Sequence, residues 1–411
     1  MKYKLFFAVL LFAATVFSQV PQIKSLKAYA GDNETSFPVI YRQNGSGGTI
    51  TIQFDVQGDA IPYMSIVFRF CDRNWVPYQN IFLLNQGKNI YYNLGFSRLP
   101  NTVVNDAKYH FTGSFPDRKG TVDFPFSGKW RFYITDSQDT SLVYGQGKFY
   151  VVEPVVALQD TIKNEQLEDK VYFPADLSKV FNITTGFNLP TELYPGNVTQ
   201  VEIIDNHEID YPFIIGRNFN TNTRQYYWNG SGKFTFTARD ILPGNEYREV
   251  DLRNTNVFSA KDVNAHLEEV DYSRFFTEGR KDLYGGSILT NYDNDYATYL
   301  NVTFTIRPPS EVTGGIYLVG AFNNWKLSPD FKMNESYGLY KLTIPLKRGV
   351  YDYQYVVAGD KYGQIINPDW VILEGNNWST SNIYQIFLYY NDPNYGSYDR
   401  IIGYQQIKSG N

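Results

Sequence analysis

Cys71 is the only cysteine of this chain, and His110, His207 and His266 are its three histidines, so thiol or imidazole chemistry has few places to arise. A catalytic thiolate needs a neighbouring base or a helix terminus to lower its pKa. Cys71 instead lies between a Phe-rich strand-like run and a turn, and it reads as a small buried apolar residue. His110 sits between Tyr109 and Phe111 and reads as a packed or edge position in a strand. His207, within Asp205-Asn206-His207-Glu208-Ile209-Asp210, could join carboxylate oxygens around a metal. A site on a single loop needs tighter ligand spacing, however, and a polar turn is the plainer reading. His266 precedes Leu267-Glu268-Glu269, the pattern of a solvated helix face.

Two loops imitate ligand loops, and each lacks residues its chemistry requires. Gly230-Ser231-Gly232-Lys233 is followed by Phe234 where a phosphate loop places the magnesium-binding Ser or Thr, and Tyr227 stands at the upstream glycine position. Asn291-Tyr292-Asp293-Asn294-Asp295 opens like a calcium loop but has Tyr296 at the sixth place and Val302 at the twelfth. Both read as turns. No catalytic, cofactor-binding or metal-binding residue is expected, and the chain does not read as an enzyme.

The elements that carry these residues read as strands. Ile50, Ile52, Phe54 and Val56 alternate with Thr51, Gln53 and Asp55, the period of a strand with one wet face. Trp130, Phe132 and Ile134 repeat the pattern, as do Val302, Phe304 and Ile306, and Leu342, Ile344 and Leu346. Lys347-Arg348-Gly349 then turns the chain into Val350–Val357, with Tyr351, Tyr353 and Tyr355 on one face. Turn clusters such as Asn44–Gly48, Asn229–Gly232 and Asp392-Pro393-Asn394 separate such runs. Only Asp160–Leu177 and Ala260–Glu278 lack clear alternation, and the second has room for a short helix. Aromatic residues make up 17% of the chain against 19% charged, a balance that suits pleated, half-buried surfaces. The expected class is all-β, tandem β-sandwich domains.

Met1-Lys2-Tyr3-Lys4 precedes an apolar run from Leu5 to Phe17 that ends at Ser18, which describes a secretory signal peptide over residues 1–18. The run is shorter than the roughly 20 residues a spanning helix needs, so no transmembrane segment is expected. The net charge of −5 comes with no basic stripe, which argues against a nucleic-acid partner. Two seams divide the rest, one after Phe149–Pro154 and one at Arg307-Pro308-Pro309-Ser310, where two prolines end a strand. They predict an N-terminal β-sandwich over 19–155, a middle β domain over 156–307 and a last domain over 308–411.

The last segment contains Gly315–Trp325, a strand followed by Gly320-Ala321-Phe322-Asn323-Asn324-Trp325. This resembles the glycogen-binding, early-set immunoglobulin-like modules found beside starch enzymes, and implies a C-terminal early-set immunoglobulin-like domain. Trp325 stands where such modules place their first sugar-stacking tryptophan, but Gln354 replaces their lysine and a second tryptophan has no clear counterpart near Lys361-Tyr362. A glycan is therefore not the expected ligand. The alternative reading, a secreted or periplasmic glycan-binding β-sandwich protein, would use Trp325 with Trp370 or Trp378 on one open face. The same residues, Trp325 with Tyr351, Tyr353 and Tyr355, are candidates for a protein-binding face.

A second resemblance covers roughly residues 20 to 405. Phe70-Cys71-Asp72-Arg73-Asn74-Trp75 resembles the Cys-Asp-x-x-Trp signature of the type IX secretion system plug proteins of the Bacteroidetes, which often carry histidine where Phe70 stands. Cys71, Asp72 and Trp75 are expected to be structural, with Cys71 and Trp75 in the first domain's core and Asp72 fixing the turn. Further motifs follow in the family's order: Ser127-Gly128-Lys129-Trp130, Phe149–Glu153, Asn245-Glu246-Tyr247-Arg248, Asp295-Tyr296, Gly320–Trp325, Leu346–Tyr355, Glu374-Gly375 and Tyr398–Gly403. The resemblance implies a periplasmic plug, held at the outer membrane through its partner. It would reversibly occlude the pore of the translocon barrel by protein–protein contact. Three β domains in a row, with tyrosines on exposed strand faces, would supply the surface.

Overall fold

The computed structural model describes residues 20–42, 48–58, 60–100, 106–167, 178–218, 220–267, 270–290, 297–309 and 312–410. The signal-like residues 1–18, most of the Asn44–Gly48 turn, residues 168–177 and the calcium-like stretch with Asp295-Tyr296 lie outside them. The fold is all-β, and the described residues form six sheets with no α-helix. They pair face to face as three sandwiches.

Alternation decides the first sandwich. Strand Ile50–Gln57 pairs with Gln22–Ala30 on one side and Tyr109–Phe115 on the other. Ile50, Ile52, Phe54 and Val56 point inward and are fully buried. They meet Ile66, Phe68, Trp130, Phe132 and Phe149 from the opposing sheet, where Gly128–Asp136 lies between Met64–Cys71 and Val143–Val152. Every strand of these two sheets falls within residues 22–152. The Thr51, Gln53 and Asp55 face, expected to be wet, is buried as well, with Asp55 covered by Lys347 and Tyr299 of the third sandwich.

The second sandwich departs from the expected boundaries. One sheet holds Gln159–Gln166, Lys179–Asn188, Lys233–Ile241 and Arg224–Trp228. Asn229, in the phosphate-loop imitation, accepts from the backbone of Ser231 and Lys233 and closes an ordinary hairpin. The other sheet pairs Val198–Asp205 with Phe213–Gly216 and with Ile383–Asp392, which in turn pairs with Tyr398–Lys408. The last two strands of the chain thus complete the middle sandwich, with Val201 opposite Leu388 and Ile203 opposite Ile386.

The third sandwich is an insertion between these two parts, not a C-terminal domain over 308–411. Its long strand Gly349–Lys361 pairs with Arg248–Asp251, Ser287–Leu289, Gly315–Gly320 and Gln364–Asp369. In its second sheet Tyr299–Arg307 pairs with Leu339–Lys347 and with the short strands Asp262–Asn264 and Asp271–Tyr272. Two of these strands occupy the segment that had room for a helix. Pro308-Pro309 ends a strand as expected, but the chain then crosses to the other sheet of the same sandwich. A proline pair reports the end of a strand and is blind to the end of a domain.

Tyr384, Ile386, Leu388, Tyr390 and Ile402 all lie in the second sandwich's core. Burying an aliphatic side chain contributes roughly 1.5–3 kcal/mol, so the C-terminal hairpin as a group rivals the about 5–15 kcal/mol that stabilises a whole domain. A chain ending at residue 382 should therefore lose the middle sandwich. Limited proteolysis should then cut within residues 179–241, which stay resistant in the full chain.

Candidate functional site

The Cys71–Trp75 element follows directly from strand Met64–Cys71. The Cys71 side chain is buried but lies outside the first sandwich's core, which takes Ile66, Phe68 and Phe70 of the same strand. Burial pushes its thiol up to about 12, which leaves it protonated and unreactive. Asp72 Oδ1 accepts from Asn74 N and Val76 N, both at 2.8 Å, and so builds the expected turn. Trp75 adopts φ +67°, and its indole is not part of the first sandwich's core as expected. The indole lies instead in the seam with the second sandwich, edge-on to Tyr150 at 5.1 Å. Tyr150 stacks on Phe387 at 4.4 Å and 14°, with Tyr389, Ile204 and Ile401 around them.

That seam buries an ion pair. Lys129 Nζ sits 2.8 Å from Glu202 Oε2, 2.8 Å from Arg73 O and 4.8 Å from the Trp75 ring centre. Tyr150 OH donates to the other carboxylate oxygen of Glu202 at 3.0 Å. Burial pulls the Lys129 pKa down, and Glu202 opposes it. On the same seam Arg73 N donates to Asp399 Oδ2 at 3.0 Å. The Cys-Asp-x-x-Trp element therefore meets two other family-like motifs, Ser127–Trp130 and Tyr398–Gly403, which only the fold brings together.

The aromatic set of the third sandwich does not form an open face. Tyr351, Tyr353 and Tyr355 are buried, because Gly349–Lys361 is the central strand of its sheet and the opposing sheet covers it. Tyr353 and Tyr355 donate to Asp271 Oδ2 at 2.9 and 2.7 Å, and Tyr351 to Lys347 O at 2.7 Å. Asp271 also pairs with Arg248, which shares Glu374 with Arg274. Trp325 is 1% exposed. Its Nε1 donates to Gly285 O at 2.7 Å and its ring lies 4.1 Å from Tyr247. Trp370 packs on Tyr211, and Trp378 belongs to the second sandwich, where its Nε1 reaches Val180 O. The open tryptophan face required by the glycan alternative is not formed by these residues.

The histidines lie in three different places. His110 Nδ1 is 2.7 Å from Asp55 Oδ1, whose other oxygen takes Lys347 Nζ at 2.8 Å and Tyr299 OH at 2.7 Å. Burial pushes the Asp55 carboxyl up, but His110 and Lys347 outweigh it and hold the group below its usual range. His207 is partly buried with Nδ1 2.9 Å from Tyr284 O. His266 is half-exposed on a loop, 4.0 Å from Asp271 Oδ1, and not on a helix. The Asp55 cluster ties the first sandwich to the third, so each sandwich contacts both others. They form a triangle, not a row.

An exposed apolar patch adjoins the Cys71–Trp75 element, and the sequence reading missed it. Asn80 Oδ1 accepts from Phe82 N at 3.0 Å and caps a single short turn. The turn buries Leu83 and projects Ile81 and Phe82 outward, 63% and 67% exposed. Phe82 stacks on Tyr395 of the C-terminal hairpin at 6.2 Å, and Val76 is exposed nearby in sequence. An asparagine directly before two exposed apolar residues was the available signal.

Carboxyls gather at the joint where the third sandwich leaves the second. Burial pushes Asp282 up to about 7, Glu208 up to about 7 and Asp352 up to about 8, with Asp282 adding to the last. Asp352 Oδ2 accepts from Leu283 N and Gly285 N, and its Oδ1 is buried without a partner. A raised carboxyl stays protonated in the fold while the unfolded chain ionises near pH 4. Stability is then lost as pH rises from about 4 towards 8 and is flat above. Thermal melts from pH 5 to 8 should show a shallower decline for Asp352→Asn than for the parent. A second outcome concerns the seam. Glu202→Ala leaves Lys129 buried without its carboxylate and should cost about 3–5 kcal/mol in urea denaturation, whereas Lys129→Met with Glu202→Leu should recover most of it.

No protein-family model and no curated protein matches the chain. A solved structure of a hypothetical protein from Parabacteroides merdae is similar over 95% of this chain and 98% of its own, at 20% identity and a TM-score of 0.75. A bacterial ice-binding adhesin, 9% identical over 96% of this chain and 98% of its own, has a TM-score of only 0.16. The chain's likeness to the Parabacteroides protein is one of fold, and it runs along nearly the whole length of both.

Proposed function

We propose that this chain is a periplasmic plug of the type IX secretion system, occluding the outer-membrane translocon reversibly by protein–protein contact. The observation that carries the reading is the patch of Ile81, Phe82 and Tyr395, which follows in the chain the element that resembles the family signature. Exposed apolar residues grouped on one surface mark interaction sites, and aromatic anchors dominate binding energy. The patch draws on two sandwiches, so it exists only while the Lys129–Glu202 seam is closed. A body that obstructs a wide pore needs such rigidity, since a loosely jointed one would leak. No helix among the described residues is long and apolar enough to cross a membrane.

The tyrosines expected to carry the contact are core residues, so the contact surface moves from Tyr351, Tyr353 and Tyr355 to this patch. Pull-down from native outer membranes with the tagged chain should retrieve the translocon barrel. Phe82→Glu with Tyr395→Glu should keep the parent melting temperature and lose most of the retained barrel. Retrieval of other proteins alone, or undiminished retention by the double variant, would defeat the proposal.

A further inference from the structure

A cavity of about 240 Å³ lies where all three sandwiches meet. Its walls carry Lys27, Arg131 and Lys148 from the first sandwich and Lys326 from the third, against the carboxylates Glu34 and Asp210. His207 also lines it, and burial lowers its pKa and keeps it neutral. Four cations thus face two carboxylates inside a chain whose net charge is −5.

The two carboxylates are committed. Glu34 holds Lys27 at 3.1 Å, and Asp210 pairs with Lys148. Among the described residues neither Arg131 nor Lys326 has a carboxylate within ion-pair distance. Arg131 is also flanked in register by like charges. It lies directly opposite Lys148 on one neighbouring strand and Arg69 on the other. Like charges facing each other across strands destabilise a sheet, and a bound anion would reverse the sign of that term.

We infer that the three-sandwich cavity is a binding site for a small, multiply charged oxyanion, carried as phosphate or as carboxylate groups. Its volume lies below the roughly 300–1,000 Å³ of sites for drug-sized ligands, which limits the ligand to a small anion. Arg131 supplies a planar fork suited to two oxygens, and Lys326 a point charge from the facing sandwich. Because the walls belong to three sandwiches, an anion seated there favours their closed arrangement over any opened one. Site and proposed function stand apart, since the patch at Phe82 is not among the cavity's walls.

The test is calorimetry and thermal denaturation of the full chain with inorganic phosphate and with citrate, each against chloride at equal ionic strength. The expected result is one saturable site for at least one anion and a melting temperature that rises with its concentration. Arg131→Gln and Lys326→Gln, each folded in chloride, should weaken that binding roughly tenfold or more, as loss of a charge-assisted contact does. Response to phosphate alone would identify a phosphoryl group, and to citrate alone a carboxylate. No stabilisation beyond chloride by either anion, or equal stabilisation in both variants, would overturn the inference.

Discussion

A charge taken out of water must be paired, and this molecule takes its charges out of water where sandwiches meet. Lys129 and Glu202 come from different sandwiches and are both almost fully buried. Asp55 of the first sandwich receives Lys347 and Tyr299 of the third. Such pairs add little net stability over well-packed apolar residues, yet leaving one partner alone is costly. They act as a filter on geometry: an arrangement that misaligns two sandwiches strands a buried ion. The area that holds the seam together comes from its aromatic rings, with Tyr150 stacked on Phe387 and Trp75 set against its edge.

Insertion of the third sandwich strengthens that constraint. Two stretches of chain tie it to the second sandwich, one before Arg248 and one after Leu373, and hydrogen bonds cross between them. Asn245 reaches Glu374 O, and Asn382 reaches Pro243 O. Closing the second sandwich with the end of the chain makes its stability conditional on everything between. The exposed patch inherits this dependence, because Phe82 and Tyr395 come from different sandwiches and touch only across a closed seam.

Much of the local structure was legible in the residues. Period-2 alternation located strands such as Ile50–Gln57 and Tyr299–Arg307, the Asn229–Gly232 and Asp392-Pro393-Asn394 clusters located turns, and the Cys71 environment announced a buried thiol. Asp72 built the turn that its side-chain chemistry suggests, by accepting two backbone donors a few residues on. The broken phosphate-loop pattern was a hairpin turn, as the displaced Phe234 implied. Each of these is set within a handful of residues, by side-chain shape and by backbone donors close in the chain.

What the sequence by itself determined is therefore the all-β class and the strands with clear alternation, such as Ile50–Gln57, Tyr299–Arg307 and Gly349–Lys361. The tertiary structure alone decided which strands share a sheet, and through that the domain boundaries and the fate of every second residue. Alternation marks two faces of a strand but cannot say whether the polar face meets water or another sheet. Asp55 reads as solvated until Lys347, 292 residues away, is placed against it. Tyr353 and Tyr355 read as exposed until Asp271 takes their hydroxyls under a covering sheet. Burial is a property of what lies above a residue in space, and contacts between distant segments carry no local periodicity.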